Sequence, residues 1–159
     1  MSQQLLAINE EVQEALQNHK PIVALESAII SHSMSYPANL ATTIEIEEII
    51  RSQGATPATI ALYQGKIHIG LNRSIMEHIA ENKQTITASR RDIAYILSRK
   101  LIARTTVAAS IFCAHLAKLP LFVTGGIGGV HQETGGNFDI SADLIELAHT
   151  PVTVICSGA

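Results

Sequence analysis

An α/β fold, with helices covering a mixed sheet, is the architecture this sequence predicts. Three observations predict it. Short apolar runs, each long enough for one buried strand, recur along the chain. Between them lie segments with helical spacing and capping residues, so strands and helices alternate. Two of the runs flank Gln64-Gly65 as a hairpin, which mixes antiparallel pairing into the sheet.

The elements follow in order. Ile8, Val12 and Leu16 recur at four-residue spacing and predict a first amphipathic helix. Pro21 to Ser27 reads as a buried strand ending in Glu26 and Ser27. Pro37 to Gln53 reads as a helix carrying Leu40, Ile44 and Ile50, with Gly54 as its stop. Thr59–Tyr63 and Lys66–Gly70 are the hairpin strands. Asn72 or Ser74 caps a short helix to about Glu81, and Ser89 precedes another to about Lys100. Thr105 or Thr106 caps a helix through Leu119, and Leu121–Thr124 is a strand running into glycines. Ser141 to Ala148 is a helix, and Pro151–Cys156 a last strand. That strand stops at Cys156-Ser-Gly-Ala159, where functional groups of an open α/β sheet gather, so the chain reads as a truncated piece of a longer parent.

The 159 residues fit one domain, and 47% hydrophobic with 16% charged residues describes a globular chain with a real core. Three Phe, three Tyr and no Trp make that core mostly aliphatic. A net charge of -3, with Arg90-Arg91 the densest basic spot, disfavours nucleic-acid binding. No apolar run approaches the roughly 20 residues that span a bilayer. Met1 to Lys20 lacks the pattern of a signal peptide. Cys113 and Cys156 lie in apolar stretches and read as two buried free thiols of a reducing cytoplasm.

Several segments can carry chemistry. Gly125-Gly-Ile-Gly-Gly129 follows a strand and either aims N–H groups at a phosphate or is a plain turn. It is neither a dinucleotide fingerprint nor a P-loop. Asp139, Ser141 and Asp143 precede a helix, where they cap it or contribute to a hard-cation site for Mg or Mn. Glu26 closes an apolar strand, where it is paired or tuned by burial for proton transfer. Ser31 and His32 follow it, His32 reading as a structural histidine. Ser89-Arg-Arg-Asp92 is a capping turn with a local ion pair, or an anion-binding turn. Cys113 and His115 do not share a helix face, which argues against a Cys–His nucleophile.

Taken in order, a set of segments resembles the pseudouridine-5'-phosphate glycosidase family. They are Val23–Ser27 with Ile29–His32, Pro57–Ala61, Ser89–Asp92, Thr105–Ala108, Val123–His131, Phe138–Leu144 and Val154–Ala159. The resemblance spans nearly the whole chain but only the first half of that family's length. It implies an α/β/α layered sandwich with a mixed sheet, of which residues 1–159 form the N-terminal part of a single domain. It also implies a homotrimeric cytoplasmic enzyme that uses a divalent metal, usually Mn2+. The implied activity is reversible cleavage of the C–C bond joining uracil to ribose 5-phosphate, through a lysine Schiff base.

Residue by residue, the resemblance implies that Glu26 is the acid/base and Asp139 the metal ligand. Val107, Thr124, His131, Ser141, Ala142 and Asp143 are implied to line the substrate site. Two departures stand out. The nucleophilic lysine would follow the strand end at Ala159, and neither Lys100 nor Lys118 occupies its place. Thr87 stands where a substrate-binding lysine is implied, which lowers the expected affinity for phosphate or sugar. Ala28, Ser33 and Ser35 are smaller changes around the Glu26 loop. Three functions compete: a glycosidase read from a fragment, an inactive remnant that binds sugar phosphate or metal, and an interaction module. The isolated chain is expected to have no turnover and to expose a sheet edge and apolar faces.

Overall fold

The computed structural model describes residues 2–30, 34–132 and 138–158. Six helices and ten strands are present among the described residues. The strands are β1 (Leu6–Ile8), β2 (Ile22–Glu26), β3 (Thr56–Tyr63), β4 (Lys66–Ile69), β5 (Ile86–Ala88), β6 (Ala103–Thr105), β7 (Leu121–Thr124), β8 (Val130–Gln132), β9 (Phe138–Ile140) and β10 (Thr153–Cys156). The helices are α1 (Glu10–Gln17), α2 (Ala38–Ser52), α3 (Arg73–Glu81), α4 (Ile93–Ser98), α5 (Val107–Leu116) and α6 (Ala142–His149).

The main sheet has the order β1-β4-β3-β2-β7-β10, with β6 also on β3 and β5 on β6. β2, β3, β7 and β10 run parallel, whereas β4 and β6 run antiparallel to β3. The hairpin β3–β4 turns through Gln64 at φ 49 and Gly65 at φ 79, the left-handed pair a two-residue turn needs. Five strands, β1, β5, β6, β8 and β9, lie outside the sequence expectation. β1, β5 and β6 are three residues each, too short to show a period. Ile8 belongs to β1, paired with Ile69, and not to the first helix. The helix begins after Asn9, whose side chain accepts the Glu11 N–H at 2.8 Å. The segment after Ser89 is a 3-10 turn, Arg90–Asp92, leading into the shorter α4.

Helices cover both faces, giving the layered sandwich. On one face, α1, α4 and α5 pack on Ile22, Ala24, Ala58, Ile60, Leu62 and Phe122. On the other, α2 and α3 enclose Ile30, Leu40, Ala61, Ile75, Met76 and Ile79. Strand alternation sends Ile60 and Leu62 to the first face and Ala61 to the second. The core is aliphatic, with Phe122 its one aromatic among the described residues. The second face is incomplete. Val123 and Ile155, partners across β7 and β10, are half-buried and 54% exposed respectively. β10 is an open edge, as expected of this sequence. Cys156 sits on that strand and is exposed, so only Cys113 is a buried thiol. No helix among the described residues is long and apolar enough to cross a membrane.

Candidate active site

The chain's polar machinery collects where two strands meet head-on. β2 runs along one edge of β3 until Glu26 stands opposite Ile60. β6 then takes over that edge in the opposite sense, with Arg104 opposite Ala61. The junction is sealed by buried hydroxyls. Thr105 donates its N–H to Ser27 Oγ at 2.9 Å and its O–H to the Ile60 carbonyl at 2.7 Å. Ser110 Oγ donates to Thr105 Oγ1 at 2.8 Å. Every group there has a partner, which a buried break in a sheet requires. Thr106 caps α5, which starts at this point. Of the two cap candidates, Thr106 is therefore the cap and Thr105 the seal.

Glu26 ends β2 and Thr124 ends β7. Thr124 donates its O–H to Glu26 Oε1 at 2.5 Å, and its Oγ1 accepts the Gly126 N–H at 3.2 Å. Burial pushes the Glu26 carboxyl above the usual carboxylate range; the Thr124 bond opposes this, and the nearby Asp143 charge adds to it. Among the described residues Glu26 makes no ion pair.

Asp143 ties three elements together. Its Oδ1 accepts the Ala108 N–H at 2.8 Å, at the start of α5, and its Oδ2 accepts the Gly128 N–H at 2.9 Å. Ser141 caps α6 by accepting the Asp143 N–H at 3.2 Å. Gly128 is obligatory by close approach, since a Cβ there would lie 2.2 Å from Ser141 Oγ. Of the two readings of the glycine loop, these bonds favour the plain turn over the phosphate cradle. The N–H groups of Gly126, Ile127 and Gly128 are spent on Thr124, the Gly158 carbonyl and Asp143. Val107 opens α5 with its side chain in the core, so only its backbone faces this end of the helix.

A concavity opens beside the Ser89–Asp92 turn. A cleft of about 640 Å³ is lined by Ser89, Arg90, Arg91, Asp139, Ser141 and Ala142 among others. Asp139 sits on β9 directly opposite His131 on β8, both exposed. Asp139 is a strand residue and caps nothing. The Ser89–Asp92 turn has a capping box between Ser89 and Asp92. Its Arg90 is committed to Glu146, which is 2% exposed, through contacts of 2.8 and 2.7 Å, and stacks 4.4 Å above Phe112. The turn is therefore fastened by an ion pair between exposed Arg90 and buried Glu146 that sequence spacing, 56 residues apart, gave no sign of. Ser31, His32 and Ser33 fall outside the described residues.

Residues 11–159 match the model of the family described as indigoidine synthase A like protein. The chain belongs to that family. Within it, the chain is 67% identical to a pseudouridine-5'-phosphate glycosidase of Legionella pneumophila, over all of this chain and 52% of the relative. It is 51% identical to the enzyme of that name from Escherichia coli, again over all of this chain and 51% of the relative. Among solved structures it resembles the prealnumycin C-glycosynthase AlnA in complex with ribulose 5-phosphate, with TM-score 0.84 and 40% identity over 98% of this chain and half of that one. An indigoidine synthase A-like protein of Thermotoga maritima follows at TM-score 0.83 and 27% identity, over 97% of this chain and 49% of that one. The chain spans about half the length of the curated relatives it matches.

Two features implied for this indigoidine synthase A-like chain can be set against the geometry. A divalent cation would find one carboxylate, Asp139, with the His131 ring across the ribbon. No cluster of three or more ligand side chains exists among the described residues. That donor set fits a hard cation completed by water and phosphate oxygens, not a closed protein cage. Thr87, in place of the implied lysine, lies on β5 and accepts the Arg104 Nε–H at 2.7 Å. Lys100 and Lys118 are exposed left-handed turn residues after α4 and α5. Lys118 follows α5 at the end opposite Val107 and Asp143, about 15 Å along the helix axis.

Proposed function

We propose that this chain carries the acid/base and sugar-phosphate-binding half of a pseudouridine-5'-phosphate glycosidase site. The reaction is reversible cleavage of the C–C glycosidic bond to uracil and ribose 5-phosphate. The observation that carries the reading is Glu26, a half-buried carboxyl at a strand end, bonded to Thr124 and held above its usual range chiefly by burial. A C-glycosidic bond has no leaving oxygen to protonate, so two-carboxylate glycosidase chemistry does not serve. Breaking it leaves an electron pair on a carbon of the base, and that carbon needs a proton. A carboxyl that keeps its proton to a higher pH than an ordinary glutamate is suited to deliver it. Thr124 fixes the direction in which Glu26 presents that proton.

The remaining roles follow from position. Asp143 holds the start of α5 and the glycine loop at one spacing. Ser141, Ala142 and Asp139 border the adjoining cleft, where a sugar phosphate and a cation such as Mn2+ would lie. A bound cation would supply charge neutralisation for the phosphate. The nitrogen that stabilises the sugar carbon as the bond's electron pair leaves with the base, a lysine forming a Schiff base with the opened sugar, would come from outside these 159 residues, and the assembled enzyme would be a cytoplasmic homotrimer. Isothermal titration of this chain with ribose 5-phosphate and Mn2+ tests the reading. Saturable binding stronger than that of ribose, without uracil release from pseudouridine 5'-phosphate, is expected. Equal or absent binding of the two sugars would remove it.

A further inference from the structure

One cation near the strand junction has no established task. Arg51, Arg73, Arg90 and Arg91 are exposed, and each faces a carboxylate. Arg104 is less exposed than any of them, yet among the described residues it makes no ion pair. Its Nε–H is used, donated to Thr87 Oγ1 at 2.7 Å across the β5–β6 pair. Its two Nη groups form no hydrogen bond with the described residues, so a planar fork remains for an acceptor with paired oxygens. Burial holds the guanidinium below the usual arginine range, with no neighbouring charge to offset it.

Its place is as informative as its lack of an ion pair among the described residues. Arg104 precedes Thr105, whose N–H is bonded to Ser27, the residue after Glu26. Its backbone is therefore fixed at the meeting point of β2 and β6, beside the end of β2 where Glu26 stands. A partly desolvated cation kept there without a carboxylate costs stability, and an arriving anion would offset that cost. Position 87, where the resemblance implies an ammonium, so carries a positive charge after all, on its cross-strand partner.

We propose that Arg104 binds the anionic group of the substrate, a phosphate monoester on a sugar, through its two Nη groups, with Thr87 as the residue that positions it. The inference rests on the sugar-phosphate reading of the site and adds the residue that recognises the charge. Thr87 is then not a lost contact but half of an exchange, in which the cation has moved one strand across the sheet.

The test is a side-chain nitrogen NMR titration of the whole 159-residue chain, first with inorganic phosphate and then with ribose 5-phosphate. The Arg104 Nε–Hε resonance is expected to shift saturably with both. Arg104→Ala is expected to weaken ribose 5-phosphate binding about tenfold or more, the loss typical of a charge-assisted contact. Thr87→Val is expected to weaken it less, and Thr87→Lys with Arg104→Ala to restore most of it. Amide spectra of each variant check that it folds. If the chain binds ribose 5-phosphate and Arg104→Ala binds it equally well, this inference falls while the proposed function stands. If phosphate moves the Arg104 resonance but ribose 5-phosphate binds no tighter than phosphate, the sugar-phosphate reading falls and the anion site stands. Absence of any binding overturns both.

Discussion

Replacing Asp143 with alanine tests the clamp at the centre of the site. Its two carboxylate oxygens accept backbone N–H groups from Ala108 and Gly128, at 2.8 and 2.9 Å, in a half-buried setting. Bonds to a charged acceptor contribute about 1.5–3 kcal/mol each, so the pair is worth about 3 kcal/mol after discounting for partial solvation. For a chain of this size that corresponds to a fall in Tm of about 6–12 °C. Asp143→Asn keeps one acceptor oxygen and turns an amide toward the other N–H, so it should lose at least half as much. Asp139→Ala, at an exposed strand position, is the control and should stay within about 0.5 kcal/mol. Urea unfolding followed by circular dichroism reads all three. A second readout is site-specific. The Asp143 charge is one of the causes that raise Glu26, though smaller than burial. Carbon NMR of the Glu26 carboxyl should therefore show its pKa falling in Asp143→Ala while staying above the ordinary glutamate value. A stability loss under about 0.5 kcal/mol, or an unmoved Glu26, would refute the clamp.

Three further outcomes are expected. Arg90→Ala strands Glu146, 2% exposed, without its cation and should cost about 3–5 kcal/mol in urea unfolding. Adding Glu146→Leu should recover most of that loss. Glu26→Gln should be more stable than the native chain at neutral pH. The raised pKa means the folded form binds the proton more tightly, so native stability falls as pH climbs from the unfolded glutamate value through the folded one. The advantage should shrink toward zero below about pH 4, and an advantage that grows on acidification would reverse the sign of the argument. A thiol reagent should label one cysteine in the folded chain, the exposed Cys156. Cys113, buried and pushed up to about 12, should react only on unfolding.

What the sequence revealed and what it hid divide along physical lines. Segments whose signal is local were legible: α2, α3, α5, α6 and the Gln64-Gly65 hairpin all lie where spacing and capping residues put them. Three-residue strands were not, because β1 exists only through pairing with β4, β6 through pairing with β3, and β5 through pairing with β6. Cys156 was misjudged because an apolar strand reads as buried on both faces, whereas β10 is an edge with an uncovered face. In the site, Glu26 at a buried strand end and the Ser141 cap were readable from their neighbours. The glycine loop was readable as a loop, but its purpose was not. Gly128 is small because Ser141 presses on it, and its N–H goes to Asp143, fifteen residues later. The Arg90–Glu146 pair and the Thr87–Arg104 contact join residues far apart in sequence, and no periodicity carries such information.

The most direct measurement is uracil release by a chimera in which residues 1–159 replace the matching half of the Legionella pneumophila relative, 67% identical to this chain. If Glu26 is the proton donor, the chimera releases uracil from pseudouridine 5'-phosphate, and Glu26→Gln lowers kcat at least about a hundredfold. A folded chimera without turnover, or one in which Glu26→Gln turns over normally, would contradict it.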